Sequence, residues 1–529
     1  MISKIFKKIS FNELVPYCIL CMYTIIMAGL MVYWGNWTIG DDAIYLRTTA
    51  LGKFNWCLDG FLPKEGRLFP LAHFDYNLTL LMPFLPEVKA HYLLNAISFC
   101  IYVFLLWWMI KNIVYSINTD LLECQDGTIS LSMAIFFLLI ALTFSKKLLL
   151  VAIVLYLLLH FFKQRYKDIN FRPWIVTLAV LSILLQPMWS ADFFEIHTAT
   201  RLFVVLMALY IWAIYRVMDN QKWSYAILAL FSAFYLTYSY EFHFGIFVVF
   251  ATTMLLFYPN QTKFFRGIMW GIIGIALSYV IVYLCYIFPH IEQMYSHGNL
   301  SLAGGIANLL SWVKVYSFAI ALGMYRIYAV LWKKDREHVF YDACLASGLA
   351  GLIALIVLGM FDPYCHMTNI VLCYIPVVYW MQKIFGSKCS LIFYSLLIIG
   401  LLRPYIITIR DRVSEMTETM TKVEQTLGLL DSNAKMFMIM PDNPNEMVAD
   451  FSREGGCKMF MRRFEAILRY ADKNHSVYNI EEYTIDDVSQ LDEDIIYLAN
   501  PDWIDDAAIV NALDERSIKI RFGTNVLYK

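Results

Sequence analysis

Two carboxylates stand side by side in Gly40-Asp41-Asp42-Ala43-Ile44-Tyr45, just past the first long apolar stretch of the chain. Further on comes Pro63-Lys64-Glu65-Gly66-Arg67-Leu68-Phe69-Pro70, a charged turn shaped by Gly and Pro. A carboxylate desolvated near a bilayer surface can take the proton of an acceptor hydroxyl, and adjacent like charges push two pKa values apart, which favours one raised base. Asp41 and Asp42 suit that division of labour; the plainer reading is a pair of solvated loop carboxylates. Arg67, flanked by Lys64 and Glu65, suits bidentate recognition of a phosphate and stabilisation of a departing one. Its bland counterpart is an interfacial cation on lipid headgroups. Trp37 and Tyr45, with Trp34, Phe54 and Trp56, read either as an aromatic belt at the membrane boundary or as a surface for a sugar ring or prenyl chain.

Glu195-Ile196-His197 and Glu241-Phe242-His243 repeat a Glu-x-His pattern at the ends of apolar stretches. Glu195, His197, Glu241 and His243 therefore form a candidate set of divalent-metal ligands, and equally a set of ordinary hydrogen-bonding side chains. Arg201, at the start of a span, is a second candidate phosphate ligand. Of the eleven cysteines only Cys18 and Cys21 stand at a C-x-x-C spacing, and they lie inside the first apolar span with no second pair to complete a zinc set; most of the others also sit in apolar runs, as small buried hydrophobes do.

The elements that would position these groups are membrane spans. The 529 residues are 60% hydrophobic and 16% charged, with a mean hydropathy of +0.57, which excludes an ordinary soluble enzyme. Apolar stretches of about 17–25 residues recur, long enough to cross a hydrocarbon core. We read about thirteen, near 14–34, 91–110, 128–144, 148–162, 173–189, 200–215, 223–239, 242–258, 267–288, 306–332, 340–360, 368–382 and 389–409. The basic N-terminus followed by an apolar run without a small-residue cleavage site reads as a retained signal anchor.

Five of the six loops on one side are basic, at Lys163 to Arg172, Arg216/Lys222, Lys263/Arg266, Lys333/Lys334/Arg336 and Lys383/Lys388; the sixth, 111–127, is not. Those loops belong in the cytoplasm, which puts residues 35–90 and the acidic or His-bearing turns outside. Arg47, Lys53, Lys64, Arg67 and Lys89 go against the trend and call for a purpose. Residues 411–529 hold 13 Lys and Arg against 23 Asp and Glu, leaving 29 against 20 for residues 1–410. The expected organisation is thus a basic polytopic membrane domain, 1–410, with an acidic extracytoplasmic α/β domain, 411–529. In that tail, strands are expected at 434–440, 494–500 and 517–522, and helices at 453–473 and 503–513. No basic patch with interleaved aromatics offers itself to nucleic acid.

One span, an acidic pair, a Lys- and Pro-bearing turn, many further spans and an extracytoplasmic tail together resemble the GT-C superfamily of integral-membrane glycosyltransferases. These use polyprenyl-phosphate sugars and include protein O-mannosyltransferases, aminoarabinose transferases of lipid A and bacterial surface-glycan enzymes. The resemblance implies a catalytic acid in the first external loop, at Asp41. It departs at Asp41-Asp42, where many members have Asp-Glu. It departs again at Lys64-Glu65-Gly66-Arg67, where aminoarabinose transferases have Lys-Pro-Pro, so the phosphate role falls on Arg67 or Lys64. The expected function is an inverting glycosyltransferase in a bacterial cytoplasmic membrane, moving sugar from a polyprenyl-phosphate donor to a glycan, lipid or protein acceptor. The rivals are a transporter or flippase of lipid-linked sugars, a surface-glycan polymerase or ligase, and a non-enzymatic scaffold for the tail. A transporter would carry ionisable groups near the bilayer midplane. Here Lys314 is the main such group, and the charges gather at the rim.

Overall fold

The computed structural model describes residues 11–38, 54, 61–117, 153–154, 156–157, 170–187, 189, 193–195, 200–292, 302–357, 363–430, 435–440, 447–448, 451–472 and 480–529. The chain is mostly helical with a small C-terminal sheet. Its apolar helices are α1 (Phe11–Trp34), α2 (Glu87–Ser116), α3 (Arg172–Leu184), α4 (Thr200–Asn220), α5 (Trp223–Thr237), α6 (His243–Phe257), α7 (Lys263–Val282), α8 (Leu302–Leu331), α9 (Val339–Val357) and α10 (Met367–Leu429). Among the described residues six helices are long and apolar enough to cross a membrane, and shorter apolar helices run beside them. The chain is therefore a polytopic helical protein of membrane type, with fewer such helices than the thirteen spans expected. The expected spans at 128–144 and 148–162 fall almost wholly outside the described residues.

Burial separates what packs inward from what faces lipid. On α1, Met22, Ile25 and Ile26 are exposed, whereas Leu20, Met27 and Met31 are buried in the bundle. A face of exposed aliphatic side chains on a helix of this length suits a hydrocarbon phase.

The longest run, α10, is two helices. Gly386, at φ 74° and ψ −177°, breaks it in a conformation only glycine adopts without strain. Tyr374 and Tyr394, on either side of this break, have ring centroids 6.3 Å apart, where a straight helix would separate them by about 30 Å. The chain therefore reverses at Gly386, as the two expected spans 368–382 and 389–409 require. The second limb then runs on past residue 410 to Leu429. The domain boundary expected at 410/411 thus falls inside a continuous helix, which forms a stalk for the tail.

Cross-helix contacts sort the bundle into two ends. At one, Arg172 bonds the Ile117 carbonyl, Arg336 lies over Phe257, and Lys383 meets His338. The basic loops described here collect at this end. The other end carries residues 35–38, 61–86, 193–195, 238–243, 363–366 and the base of the stalk, joined by the contacts described below.

In the tail, β3 (Met436–Ile439), β6 (Ile480–Tyr483), β7 (Ile496–Ala499), β8 (Lys519–Phe522) and β9 (Asn525–Tyr528) form one sheet in the order β6-β3-β7-β9-β8, and β4 (Met447–Val448) pairs antiparallel with β5 (Phe451–Ser452). Strand β3 is parallel to β6 and β7, while β9 runs antiparallel to β7 and β8. Helices α11 (Arg453–Ala471) and α12 (Ala507–Asp514) pack on it. The three expected strands and two expected helices are present, and β4, β5, β6 and β9 come in addition. Lys529 Nζ donates to the Leu429 carbonyl at 2.9 Å, so the last residue of the tail caps the C-terminus of the stalk. Tyr470 on α11 accepts the Val88 N–H at 3.2 Å, which ties the tail to α2.

Candidate functional site at the rim

Strands β1 (Phe61–Leu62) and β2 (Arg67–Leu68) form a small hairpin. Pro63 starts its single 3-10 turn and Gly66, at φ 72°, closes it in the left-handed region. The hairpin is bolted to α7 and the turn beyond it. Tyr279 donates to the Leu68 carbonyl and Tyr283 to that of Gly66, both at 3.0 Å, and the Glu292 N–H bonds the Lys64 carbonyl at 3.0 Å. Tyr283 opens a π-helical turn, Tyr283–Ile287, an irregularity that recurs at functional sites. Leu68 is buried against Tyr279 and Ile287, and the Leu71 N–H reaches the Tyr238 carbonyl at 3.1 Å.

Three ion pairs on this rim hold the candidate phosphate ligands, and they differ mainly in depth. Lys64 and Glu292 are 2.9 Å apart with side chains 75% and 67% exposed. Arg67 Nε and Glu241 Oε1 are also 2.9 Å apart, but 16% and 15% exposed. The Arg67 guanidinium lies 4.3 Å above the Phe69 ring, and Glu241 Oε2 is buried with no hydrogen-bond partner among the described residues. Arg201 and Asp75 meet at 2.7 Å with 0% and 6% exposure, and Arg201 stacks 4.7 Å over Tyr76. Burial pushes the Asp75 carboxyl above its ordinary range against the pull of Arg201. Arg201 is thus committed to Asp75 and Tyr76 inside the protein, which removes it as a surface ligand for phosphate.

The candidate metal set is dispersed by its own partners. Glu195 pairs with Arg412 at 2.6 Å, Glu241 with Arg67, and buried His243 reaches the Leu236 carbonyl at 2.9 Å and Thr368 Oγ1 at 3.2 Å. Among the described residues no group of three His, Cys, Asp or Glu side chains is placed to hold a metal ion. His197, Asp41, Asp42 and Tyr45 lie outside the described residues, as does the side chain of Glu65. Trp37 is buried edge-on against Tyr470, ring centroids 6.4 Å apart, so the tail covers it and it faces neither lipid nor an open cleft.

The first loop leaves α1 under close control. Lys89 Nζ lies 3.0, 3.0 and 2.8 Å from the carbonyl oxygens of Val32, Tyr33 and Gly35, closing the C-terminus of α1. The Tyr92 hydroxyl lies 2.6 Å from the Asn36 carbonyl and 3.0 Å from that of Phe194, and Asn95 donates to Phe193 and Glu195, both at 3.0 Å. The segment entering the acidic pair is thus fixed against α2 and residues 193–195. Sequence reading missed Asp75, Tyr279, Tyr283 and the capping role of Lys89. The one local signal for Asp75 was a lone carboxylate between Phe74 and Tyr76, an apolar setting that demands a cation. No protein-family model matches this sequence, and no curated protein matches it.

Proposed function

We propose that this protein is an integral-membrane glycosyltransferase of GT-C type, moving a sugar from a polyprenyl-phosphate donor to a glycan, lipid or protein acceptor on the extracytoplasmic face. The observation that carries the reading is the half-buried Arg67–Glu241 pair on a hairpin locked to α7, at the rim end where α1 delivers the first loop. A hairpin that merely joined two spans would need neither this anchoring nor a cation held out of water. The basic loops at the opposite end support the orientation.

In this mechanism Asp41, oriented by Asp42, removes the proton of an acceptor hydroxyl as its oxygen attacks the anomeric carbon from the face opposite the phosphate. The carbon–oxygen bond to the phosphate breaks, the configuration inverts, and the polyprenyl phosphate leaves with an added negative charge. Arg67 and Lys64 neutralise that charge, which they meet most strongly in the transition state. The prenyl chain remains in the lipid, each buried methylene contributing about 0.8 kcal/mol to donor affinity.

The test is sugar transfer in purified membranes given a panel of labelled polyprenyl-phosphate sugars, comparing wild type with Asp41→Asn and Asp42→Asn. Transfer of one sugar, abolished by either substitution at unchanged protein level, is the expected result. No transfer from any donor, with labelled lipid crossing reconstituted vesicles in wild type and variants alike, would replace this reading with the flippase.

A further inference from the structure

Between the stalk and the tail lies a cleft of about 550 Å³. On the stalk side its wall is Asp411, Ser414, Glu415, Glu418, Thr419 and Lys422. These positions follow the spacing of a single helical face, the face a helix normally makes apolar when it packs on a domain. Here it is wholly polar, while Met416 and Val423, on another side of the same helix, are buried. Across the gap stand Phe460 of α11 and Phe522 of β8, both propped on Phe464, at ring-centroid distances of 5.8 and 4.8 Å.

Charge decides what such a cleft can take. Its three carboxylates already have cations: Asp411 pairs with Arg410 at 2.8 Å, Glu415 with Arg412 at 3.1 Å, and Glu418 with Lys422. A cationic peptide or polyamine would gain little from a wall so compensated, and an anion would meet three carboxylates. A neutral polyhydroxylated ligand fits both sides. Its hydroxyls can donate to the free lone pairs of the carboxylates and exchange hydrogen bonds with Ser414 and Thr419, while the C–H face of a sugar ring lies on partly exposed Phe460, which buried Phe464 and Phe522 back. The cleft also abuts the reaction side of the molecule, because Arg412 holds Glu195 at 2.6 Å.

We infer that this cleft binds a neutral glycan segment. Calling that glycan the acceptor rests on the transferase reading; its binding does not. The experiment uses the full chain in its own cells, so the probe is the glycan those cells carry. Thr419→p-benzoylphenylalanine is irradiated and the purified protein stained for periodate-reactive sugar. The comparison is Glu481→p-benzoylphenylalanine on β6, the sheet edge opposite β8. The expected result is sugar-bearing adducts at Thr419 at least tenfold above Glu481, falling at least tenfold when Ser414→Trp fills the cleft. Adducts containing only protein or phospholipid, or none at Thr419, would overturn the inference. Glycan adducts in a protein that transfers no sugar would keep the cleft and reject the transferase. Sugar transfer undisturbed by Ser414→Trp, without glycan adducts, would do the reverse.

Discussion

Lys89→Met removes three donors from the end of α1 and keeps the aliphatic stem. Its ammonium lies within 2.8–3.0 Å of three carbonyl oxygens, and hydrogen bonds to a charged group are each worth about 1.5–3 kcal/mol. Lys89 is only partly buried, so water replaces part of what is lost, and about 2–3 kcal/mol is the reasonable total. Unfolding entropy of about 2.1 cal/mol/K per residue over 529 residues converts this to a fall in Tm of about 2–3 °C. Function should suffer more than stability, because the freed carbonyls belong to the segment that leads into Asp41 and Asp42. A shift of that segment by about 1 Å can cost on the order of 100-fold in rate. Lys89→Arg keeps the charge, hence about 0.3–1 kcal/mol of interaction with the helix terminus, but its planar fork does not converge on three oxygens from one point. It should fall between wild type and the methionine variant. Thermal unfolding in detergent and sugar transfer in membranes measure the two effects. A methionine variant within about 0.5 kcal/mol of wild type and fully active would show that Lys89 does not hold the loop.

Three further outcomes follow from specific contacts. Gly35→Ala places a Cβ 2.1 Å from the Met31 carbonyl oxygen and 2.3 Å from the Tyr92 ring, an overpacking that should destabilise by about 1–3 kcal/mol or more in thermal unfolding. Arg67→Ala should lower kcat/KM for the donor by about 100–1000-fold, as loss of a charge-stabilising donor does, whereas Lys64→Ala, in an exposed pair, should cost far less; equal losses would reject the ranking. Burial first of all pushes the Tyr470 hydroxyl from 10.0 up to about 12. The sign is that of a raised folded pKa: docking of the tail is at full strength below pH 10 and weakens as pH rises toward 12. Tyr470→Phe should remove that step and cost about 0.5–1.5 kcal/mol at neutral pH, read by tyrosinate absorbance with limited proteolysis between the stalk and β3.

Hydropathy located every apolar helix described here because lipid-facing and core-facing positions of a span are both apolar, so the signal accumulates over the whole length. It could not say where one helix continues into another element. The stretch 411–429 is charged, and a charged stretch after an apolar one reads as a new domain. Yet Met416, Val423 and Thr426 recur on one buried side, and the helix simply leaves the membrane without ending. Strands β6 and β9 escaped notice for a related reason. β6 is an edge strand with Glu481 and Glu482 facing water, and β9 follows a tight turn after β8, so neither shows an alternating run of useful length.

The site was legible as a collection of charges and not as a set of partnerships, and partnership decides which cations can meet a phosphate. Five cations crowd residues 35–90, the loop expected outside, against the positive-inside trend. Lys89 is spent on the end of α1. Arg201, which looked equally suited at the head of its span, is fully enclosed with Asp75; removing one member of such a pair typically costs about 3–5 kcal/mol, so an incoming anion cannot displace the carboxylate. The exposed Lys64–Glu292 pair holds its partners by no more than about 1 kcal/mol, so Lys64 exchanges freely but discriminates little. Arg67 lies between these limits. It is screened enough for its charge to count, yet its side chain keeps 16% exposure, where a phosphate carrying more charge can reach it. On the proposed transferase reading, depth of burial, which no spacing in the sequence encodes, therefore ranks Arg67 first for a leaving phosphate, Lys64 second, and Arg201 last.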